Sequence, residues 1–396
     1  MQKKIFEGIR ILDVSHFISG PWSTIFFAQQ GAEVIKIEPP PFGDSMRMFS
    51  FFDKQIFPIF SILNNNKKSL VLNLNKPQAQ EIFKKLIKIS DVVVDNLVVG
   101  TMERWGLGYE QLKLIKPDII YVSISGFGRT GIEKYVKKTA FDLIAQAASG
   151  ILDAMDIETS PGIPFADFST AHIAAISIAS ALYYREKTGK GQLIDISMQD
   201  VMYALNLHAH ARECMDRASK LDIVSRILPI YSQYPTKDGK KVAIVILTEP
   251  QWKRFCENVL KRPELISDPK FDNPIKRFDH LEELDKIVES YTKEKEQSLI
   301  IEELESQKIP CSEVRTIHDV RDHPQLKARN MLIDNWDFSR YNVKKATMPG
   351  PIIKYSETPS TIDHMAPELG AQNEEIICGL LGYSVEEYKK LKRKIM

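Results

Sequence analysis

The sequence predicts an α/β protein with a parallel sheet in its larger part and a smaller α+β domain. The first observation is a series of short apolar, β-branched segments that alternate with helical patterns. Strands that are apolar along their whole length are buried on both faces, which is typical of a parallel sheet covered by helices. The second observation is a change of pattern near residue 225, where turn-linked strands and Lys- and Glu-rich helices replace this alternation.

Six segments of the first half have the composition of buried strands. In chain order they are Ile9–Val14, Glu33–Ile37, Ser69–Leu74, Asp91–Asp95, Ile119–Ile124 and Leu193–Ile196. Helical patterns lie between them over Trp22–Gln30, Lys76–Ile89 and the long apolar stretch Thr170–Tyr184. Ligands of such sheets bind beyond the carboxyl ends of the strands, so we expect functional residues directly after these segments.

Three regions follow from this pattern. We assign residues 1–224 to the large domain, 225–330 to the small α+β domain, and 331–396 to a C-terminal segment that returns to the large domain. In the small domain, a turn over Tyr234–Gly239 links two strands, the second being Val242–Ile246. Amphipathic helices rich in Lys and Glu follow this pair of strands.

Charge and composition exclude several classes of protein. The 396 residues carry 53 Lys and Arg against 52 Asp and Glu, whereas dedicated nucleic-acid-binding proteins usually show a strong basic excess. No uninterrupted apolar run approaches about 18 residues, and no cleavable secretory signal is visible, so we expect neither a membrane span nor secretion. The four cysteines are widely spaced, which is typical of reduced thiols in a cytoplasmic protein. They are Cys214, Cys256, Cys311 and Cys378.

The segment Gly126–Gly131 matches the GxGxxG pattern and follows a strand. A dinucleotide-binding fingerprint requires these glycines to open a helix whose N-terminus faces the pyrophosphate. Here the charged stretch Lys134–Lys138 follows, and a helical pattern resumes only near Phe141. This favours a flexible glycine loop over an active site, with an NAD-dependent oxidoreductase as the alternative. No His, Cys, Asp or Glu group has metal-ligand spacing, so we expect no metal.

Asp167 is the residue of greatest interest, because it lies in the apolar segment Pro164–Phe168 directly before a strongly apolar helix. An aspartate there can cap the helix through its carboxylate. It can equally serve as a nucleophile in apolar surroundings. Both roles need the same residue type, so the pattern leaves both open. With an ordinary pKa of about 3.9, the carboxyl group would be ionised at neutral pH without a partner base.

Cationic residues lie in the loops after the predicted strands. Each alone is typical of a solvated surface, but together on one rim of the sheet they could hold a polyanion. They are Arg47, Lys67, Lys68, Arg104, Arg129 and Lys138. We interpret the basic run Lys389–Lys394 as a frayed, solvated helix end.

Motifs along nearly the whole chain, in order, resemble those of family III (CaiB/BaiF-type) CoA-transferases. The matching segments include Gly8–Asp13, Gly20–Pro21, Gly31–Glu38, Asn66–Ser69, Arg104–Tyr109, Ser125–Gly128, Ala166–Asp167, Thr188–Gln192, Tyr234–Gly239, Ile309–Cys311 and Ala366–Gly370. The family includes formyl-CoA:oxalate, carnitine and bile-acid CoA-transferases and α-methylacyl-CoA racemases.

The resemblance implies a Rossmann-like large domain, a small domain, and two chains threaded through each other as an interlocked homodimer. It places the nucleophilic aspartate at Asp167, with Gly126, Phe127 and Gly128 as the active-site loop. The substrates would be an acyl-CoA and a carboxylic acid acceptor, with CoA as a co-substrate and no resident cofactor. The CoA-binding residues that it implies are Ile18, Leu72, Asn73, Asn96, Leu97, Arg104 and Lys138.

The implied reaction begins with attack of Asp167 on the thioester, which gives a mixed anhydride and CoA thiolate. The thiolate then forms an aspartyl-CoA thioester that an acceptor carboxylate opens. Water must be excluded, which closure of the glycine loop would achieve. We expect the backbone N–H of Phe168 or of the glycine loop to stabilise the oxyanion.

Three departures leave the acyl groups open. Pro39 follows Glu38 where the formyl-CoA enzyme has a basic residue, Ile18 replaces a glutamine, and a glycine-rich loop of its small domain is missing.

Two further alternatives remain beside the oxidoreductase. The racemases of the family carry a histidine, as α-proton base, directly before the aspartate that corresponds to Asp142; here that position is Phe141. The last alternative is a catalytically silent CoA-binding protein.

Overall fold

The computed structural model describes residues 3–51, 59–155, 162–214, 228–338 and 343–396. The chain divides into two compact units, Met1–Arg217 together with Arg329–Met396, and Ala218–Ala328. The predicted boundary after residue 224 lies outside the described residues. The predicted boundary after residue 330 lies two residues beyond the second division.

A six-stranded parallel sheet forms the centre of the first unit, as the apolar segments predict. Its strands are β1 (Arg10–Asp13), β2 (Glu33–Glu38), β3 (Lys68–Val71), β4 (Val92–Asp95), β5 (Ile120–Ser125) and β6 (Leu193–Ser197). The order across the sheet is β3-β2-β1-β4-β5-β6. Because the order reverses between β1 and β4, the loops that follow these two strands frame a crevice of the kind that binds ligands.

Helices cover both faces of this sheet. Within the described residues of the first unit they are α1 (Ser19–Ala28), α2 (Ile59–Asn64), α3 (Pro77–Ile87), α4 (Thr101–Arg104), α5 (Tyr109–Ile115), α6 (Glu133–Val136), α7 (Asp142–Ala148), α8 (Ile151–Ala154), α9 (Phe165–Thr188), α10 (Met198–Leu205) and α11 (Leu207–Cys214). Side chains of α1, α7, α9 and α10 form the core on one face of the sheet. Side chains of α3, α4 and α5 form the core on the other face.

The long helix α9 begins five residues before the predicted start at Thr170. Asp167 is therefore the third residue of the helix and not its cap, so the capping interpretation of Asp167 is wrong. Pro164 occupies the N-cap position without a capping side chain, and the first N–H groups of α9 need other acceptors. Among the described residues, α9 is also the one helix whose length and composition would suit a membrane crossing. One face of α9 packs against α1, α7, α10 and β5, whereas large apolar side chains such as Ile176 and Tyr183 are exposed.

The C-terminal part of the first unit braces the outer strands of the sheet. It contains the antiparallel pair β10 (Leu332–Phe338) and β11 (Val343–Pro349), a π-helical turn over Glu375–Leu380 and the helix α18 (Val385–Ile395). The N–H groups of Ser69 and Val71 donate to the side chains of Gln372 and Asn373, both at 2.8 Å. These bonds occupy the outer edge of β3, which would otherwise be unpaired.

Helix α18 contains the basic run Lys389–Lys394, so the run is a solvated helix end as expected, but the helix continues through it to Ile395. Tyr388 and Ile395 are buried one above the other against the sheet core, while the lysines point to solvent. Ser384 begins the helix with a capping box, which satisfies its first N–H groups. Apolar spacing on one face therefore outweighs the repulsion within the run.

The second unit has its own sheet and core. Three strands, β7 (Ile230–Pro235), β8 (Lys241–Ile246) and β9 (Cys311–Glu313), pair antiparallel in that order. The sequence predicts β7 and β8 but not the short β9. Helices α12 (Glu249–Arg254), α13 (Pro274–Asp279), α14 (Leu281–Thr292), α15 (Gln297–Ser306), α16 (Ile317–Val320) and α17 (Pro324–Ala328) complete the unit with a π-helical turn over Phe255–Leu260 and a 3₁₀ turn over Pro263–Ile266.

Candidate active site

Asp167 is held in place by Asp142, the first residue of α7. One carboxylate oxygen of Asp142, Oδ1, accepts the backbone N–H of Ala166 at 2.8 Å and that of Asp167 at 3.1 Å. The N–H of Phe168 donates to the carbonyl oxygen of Pro164 at 3.1 Å. Because this N–H is already paired, the expectation that Phe168 stabilises an oxyanion is wrong.

The carboxylate of Asp167 faces Ser19, the first residue of α1. Burial raises the pKa of Asp167, the nearby Asp142 carboxylate raises it further, and hydrogen bonds from the hydroxyl and the N–H of Ser19 lower it. The resulting pKa is about 7, against an ordinary value of 3.8. The expectation of full ionisation at neutral pH is therefore wrong, since the neutral acid is well populated at pH 7.

Aromatic residues lie on the same elements as Ser19 and Asp167, or adjoin Asp142 in the chain. The rings of Trp22 and Phe168 lie 5.4 Å apart, and those of Phe17 and Phe141 lie 5.6 Å apart, both pairs edge to face. The indole N–H of Trp22 donates to Nε2 of His172 at 3.2 Å. An apolar wall of this kind disfavours the charged form of a carboxyl group.

The loop from β1 into α1 is fixed by buried charges. Oδ1 of Asp13 accepts the N–H of Ser15 at 3.0 Å, and the ammonium of Lys36 donates to the carbonyl oxygen of Ser15 at 2.7 Å. Lys36 also pairs with Asp44 at 2.9 Å, and Asp44 accepts the N–H of Phe17 at 3.1 Å. Phe17 has a φ of +62°, which a bulky residue adopts only where its surroundings enforce it. The network thus sets where α1 begins.

A second lysine completes this network from the other side. The ammonium of Lys67 donates to Asp13 at 2.9 Å and to the carbonyl oxygen of Pro21, in the first turn of α1, at 2.8 Å. Although burial raises the pKa of Asp13, the charges of Lys36 and Lys67 outweigh it and hold that pKa well below its ordinary value. In this network the carboxylates of Asp13 and Asp44 are paired with the ammonium groups of Lys67 and Lys36, next to the start of α1.

Asn96, directly after β4, ties the two loops of the crevice together. Its Oδ1 accepts the N–H of His16 at 2.8 Å, and its Nδ2 donates to the carbonyl oxygen of His16 at 2.7 Å and to the Ser19 hydroxyl at 3.2 Å. The sequence assigns Asn96 only to CoA. In the structure its side chain also positions Ser19, through the hydrogen bond to the Ser19 hydroxyl.

The other predicted CoA-binding residues lie along the same edge of the sheet. Leu72 and Asn73 follow β3, Leu97 follows β4, and Arg104 is exposed at the end of α4. Leu72 is 1% exposed, so its side chain belongs to the core and only its backbone could meet a ligand. Ile18 occupies the N-cap position of α1, next to Ser19.

Two contacts join this edge to other elements. The N–H of Asn73 donates to the carbonyl oxygen of Ile395 at 2.7 Å. The indole N–H of Trp105, after α4, donates to Oδ1 of Asn75 at 3.0 Å. The loops after β3 and β4 are therefore joined here as well.

The glycine segment after β5 bends without opening a helix, and α6 begins only at Glu133. It therefore lacks the helix N-terminus that a dinucleotide fingerprint requires. The carbonyl oxygen of Gly126 accepts the N–H of Gln199 at 3.0 Å, and the N–H of Arg129 donates to Asp195 at 2.9 Å. The segment is thus anchored at both ends to β6 and α10.

Side chains of this segment make further contacts. The guanidinium of Arg129 bonds to Glu103, next to Arg104. Phe127 is buried, and the ammonium of Lys138 lies 5.2 Å from the centroid of its ring. A β-carbon on Gly126 would lie 2.2 Å from that of Ala140, so only glycine fits there. Gly126 therefore allows the chain to pass close to Ala140, two residues before Asp142.

Sequence reasoning missed Ser19 and Asp142, the two residues that touch Asp167. The dipeptide Gly20–Pro21 suggests a turn, so the serine before it has no mark of a helix start. The bond from Asp167 to Asp142 spans 25 residues, and no local pattern records it. Over the described ranges, no group of three or more His, Cys, Asp or Glu side chains is arranged to hold a metal ion.

The chain is similar to known proteins in both sequence and structure. The model of the family described as CoA-transferase family III matches residues 6–373. The chain is 30% identical to a succinyl-CoA–D-citramalate CoA-transferase of Chloroflexus aurantiacus, over 98% of this chain and 97% of that protein. It is 31% identical to the succinyl-CoA:glutarate CoA-transferase of Mus musculus, over 98% of this chain and 89% of that protein.

A solved structure shows the same fold. The crystal structure of a CaiB/BaiF family protein from Brucella suis superposes with a TM-score of 0.78 and 27% identity, covering 96% of this chain and all of that chain.

Proposed function

The chain belongs to CoA-transferase family III, and from this premise we propose that it moves CoA from succinyl-CoA to a carboxylic acid with Asp167 as the nucleophile. The observation that carries this proposal is the half-buried Asp167 carboxylate beside Ser19, in the crevice between the loops after β1 and β4. A carboxylate in apolar surroundings is a stronger nucleophile than a solvated one, because its pKa is higher. The thioester supplies its own leaving group, so the reaction needs no resident cofactor.

Four steps make up the transfer, and each exchanges one bond for another. An oxygen of Asp167 attacks the thioester carbon, the carbon–sulfur bond breaks, and CoA leaves as the thiolate. The thiolate attacks the side-chain carbonyl carbon of Asp167, the anhydride carbon–oxygen bond breaks, and the donor acid leaves as its carboxylate. The acceptor carboxylate then repeats both steps in reverse order. No net proton transfer is required.

Ser19 is the donor that suits the second step. When the thiolate attacks Asp167, the negative charge develops on an oxygen of the Asp167 side chain. The hydroxyl and N–H of Ser19 already face that carboxylate. Donors aimed in advance at the position of developing charge lower such barriers by about 2.7–4 kcal/mol for each donor.

The names of relatives support the substrate class. The two relatives above act with succinyl-CoA and with D-citramalate or glutarate, which are both dicarboxylic acids. We propose succinyl-CoA as donor and a small dicarboxylic acid as acceptor. Mass spectrometry of a panel of mono- and dicarboxylic acids incubated with succinyl-CoA identifies the acceptor. Transfer only to monocarboxylic acids contradicts this assignment.

Asp167→Asn tests the nucleophile, with the exposed Asp153→Asn on α8 as matched control. We expect Asp167→Asn to abolish transfer and to retain CoA affinity by calorimetry, and Asp153→Asn to keep both. With an acceptor labelled by ¹⁸O in its carboxylate, the proposed steps leave one ¹⁸O on Asp167, which peptide mass spectrometry detects. Unchanged turnover of Asp167→Asn, or no ¹⁸O on Asp167, excludes this role.

We also propose that the chain works as an interlocked homodimer. Helix α9 leaves large apolar side chains in solvent, among them Ile176 (63% exposed) and Tyr183 (64% exposed). The two residues are seven positions apart and so lie on one face of the helix, and exposed apolar faces mark protein interfaces. Sedimentation should give twice the chain mass, and Ile176→Glu should lower it, whereas Ile317→Glu in the second unit should not. A monomeric wild-type protein contradicts the proposal.

Isotope exchange separates transfer from racemisation. Phe141 occupies the position where a racemase carries its histidine base. We therefore expect no exchange of the α-proton of a 2-methylacyl-CoA with heavy water. Rapid exchange without an acceptor acid would favour the racemase instead.

A further inference from the structure

Asp142 is a half-buried carboxylate whose contacts are all with neutral donors. Its Oδ1 accepts the N–H groups of Ala166 and Asp167, and its Oδ2 accepts the amide of Gln146 at 2.6 Å. Gln146 is itself 1% exposed. Within the described residues, no Lys, Arg or His forms an ion pair with Asp142. Three neutral donors therefore hold this carboxylate beside the nucleophile.

Few charged groups face the nucleophile. The titratable residues on the elements packed against α9 are Asp142 of α7, Tyr121 of β5, Asp195 of β6, and Asp200 and Tyr203 of α10. Of these, only Asp142 acts on the carboxylate of Asp167, which otherwise meets Ser19. Asp195 is engaged by the N–H of Arg129. Beside the larger effect of burial, Asp142 is thus the charged group among the described residues that acts on Asp167.

Acylation changes this repulsion. When Asp167 is ionised, its carboxylate is repelled by that of Asp142, and no cation of the described residues pairs with Asp142. When the Asp167 oxygen bonds to the acyl carbon and the carbon–sulfur bond breaks, the negative charge leaves Asp167 and moves to the CoA thiolate. Repulsion that is present before the reaction and absent after it favours the acylated form.

Building on the function proposed above, we propose that Asp142 is a positioning residue that fixes the first turn of α9 through Oδ1 and drives Asp167 toward its acylated form through its charge. A purely structural cap would need only the hydrogen bonds. A neutral residue of the same shape separates the two roles, because it keeps an acceptor for the N–H groups and removes the charge.

The test compares Asp142→Asn with wild type in the full-length protein. An asparagine Oδ1 still accepts from Ala166 and Asp167, and the Gln146 amide can turn to present its oxygen. Ser384→Ala, which removes the cap of α18, is the control for the loss of a cap elsewhere. The measurements are the pH profile of kcat/KM, kcat at pH 8, and the fraction of aspartyl-CoA adduct at equilibrium by intact-protein mass spectrometry.

We expect Asp142→Asn to move the acid limb of kcat/KM to lower pH, since removing a like charge lowers the pKa of Asp167. At pH 8, where Asp167 is mostly ionised in both proteins, kcat and the adduct-to-free-enzyme ratio should fall roughly tenfold. Ser384→Ala should change the melting temperature but neither the limb nor the adduct.

If Asp142→Asn shows the same acid limb of kcat/KM and the same adduct-to-free-enzyme ratio as wild type, Asp142 acts only as a structural cap. That result would overturn the proposal. If Asp142→Asn does not fold, Asp142→Ser, which is also neutral, is measured in its place against the same criteria. Absence of any adduct in the wild type would instead contradict the proposed function, so the two failures are distinguishable.

Discussion

Asn96 places its Nδ2 atom 3.2 Å from the hydroxyl oxygen of Ser19. One residue follows β4 and the other begins α1, so this bond joins the two loops that frame the crevice at the point where the strand order reverses. Ser19 then donates to the carboxylate of Asp167. The nucleophile is therefore positioned by residues from both halves of the sheet.

Ser19→Ala removes one of the two donors to Asp167. Because the hydroxyl bond lowers the pKa of Asp167, its loss should raise that pKa and move the acid limb of kcat/KM to higher pH, opposite to the effect expected for Asp142→Asn. We expect kcat to fall about 100- to 1000-fold, as for the loss of one oxyanion donor. Ser23→Ala is the matched control, since that buried hydroxyl on α1 donates to Gly20 instead. A limb that stays in place for Ser19→Ala contradicts this assignment.

Gly126→Ala should lower activity through displacement of Asp142. The added β-carbon would lie 2.2 Å from that of Ala140, two residues before Asp142, so the backbone there must shift. Such overpacking typically costs about 1–3 kcal/mol of stability. Gly379→Ala is the control, because no atom lies within 4 Å of its added carbon. Denaturant titration and turnover measure both effects, and equal behaviour of the two variants would refute the argument.

Lys67→Met should destabilise the large unit strongly. The substitution removes one of the two lysines that compensate Asp13, and one of the donors to the carbonyl oxygen of Pro21. Breaking a buried pair in this way costs about 3–5 kcal/mol. Lys68→Met is the matched neighbour, since its bonds to Glu33 and Glu375 are partly exposed and contribute about 1 kcal/mol or less. Similar losses in the free energy of unfolding for both variants would show that the network is not a stabilising core.

Asp167→Asn should stabilise the protein at pH 8 but not at pH 4. In the unfolded chain this carboxyl group ionises near its ordinary pKa of 3.8, whereas in the folded chain it ionises only near 7. Ionisation therefore favours unfolding, and the stability lost grows between these two pH values and stays constant above pH 7. The gain at pH 8 should be of the order of 2–4 kcal/mol. Melting temperatures at both pH values measure it, and an equal change at pH 4 and pH 8 would contradict the buried-carboxylate argument.

The sequence predicts the central sheet well, because β-branched runs are a local property. All six strands lie within three residues of the predicted bounds. The residues at which helices begin depend less on local sequence. Helix α1 begins at Ser19 rather than Trp22, since Pro21 is tolerated in a first turn. The first turn of α9 is helical from Phe165 because Asp142 accepts the N–H groups of Ala166 and Asp167.

The candidate site shows the same contrast between features that depend on local sequence and features that depend on distant contacts. Asp167 and the edge of the sheet that holds the predicted CoA-binding residues could be located from motifs and strand ends. The contacts that tune Asp167 could not, because Ser19 and Asp142 lie far from it along the chain and carry no local mark. The pKa of Asp167 depends on the low polarity of a folded crevice, which an extended chain does not have.

The hydrogen bonds between the C-terminal segment and the edge of β3 have a consequence for biosynthesis. Ser69, Val71 and Asn73 find partners in Gln372, Asn373 and Ile395, about 300 residues later. These partners of β3 become available only when the C-terminal segment has left the ribosome, whereas Ala218–Ala328 is one continuous stretch that can fold earlier. Nascent chains stalled before residue 370 should therefore resist protease in the second unit and be cleaved within the first.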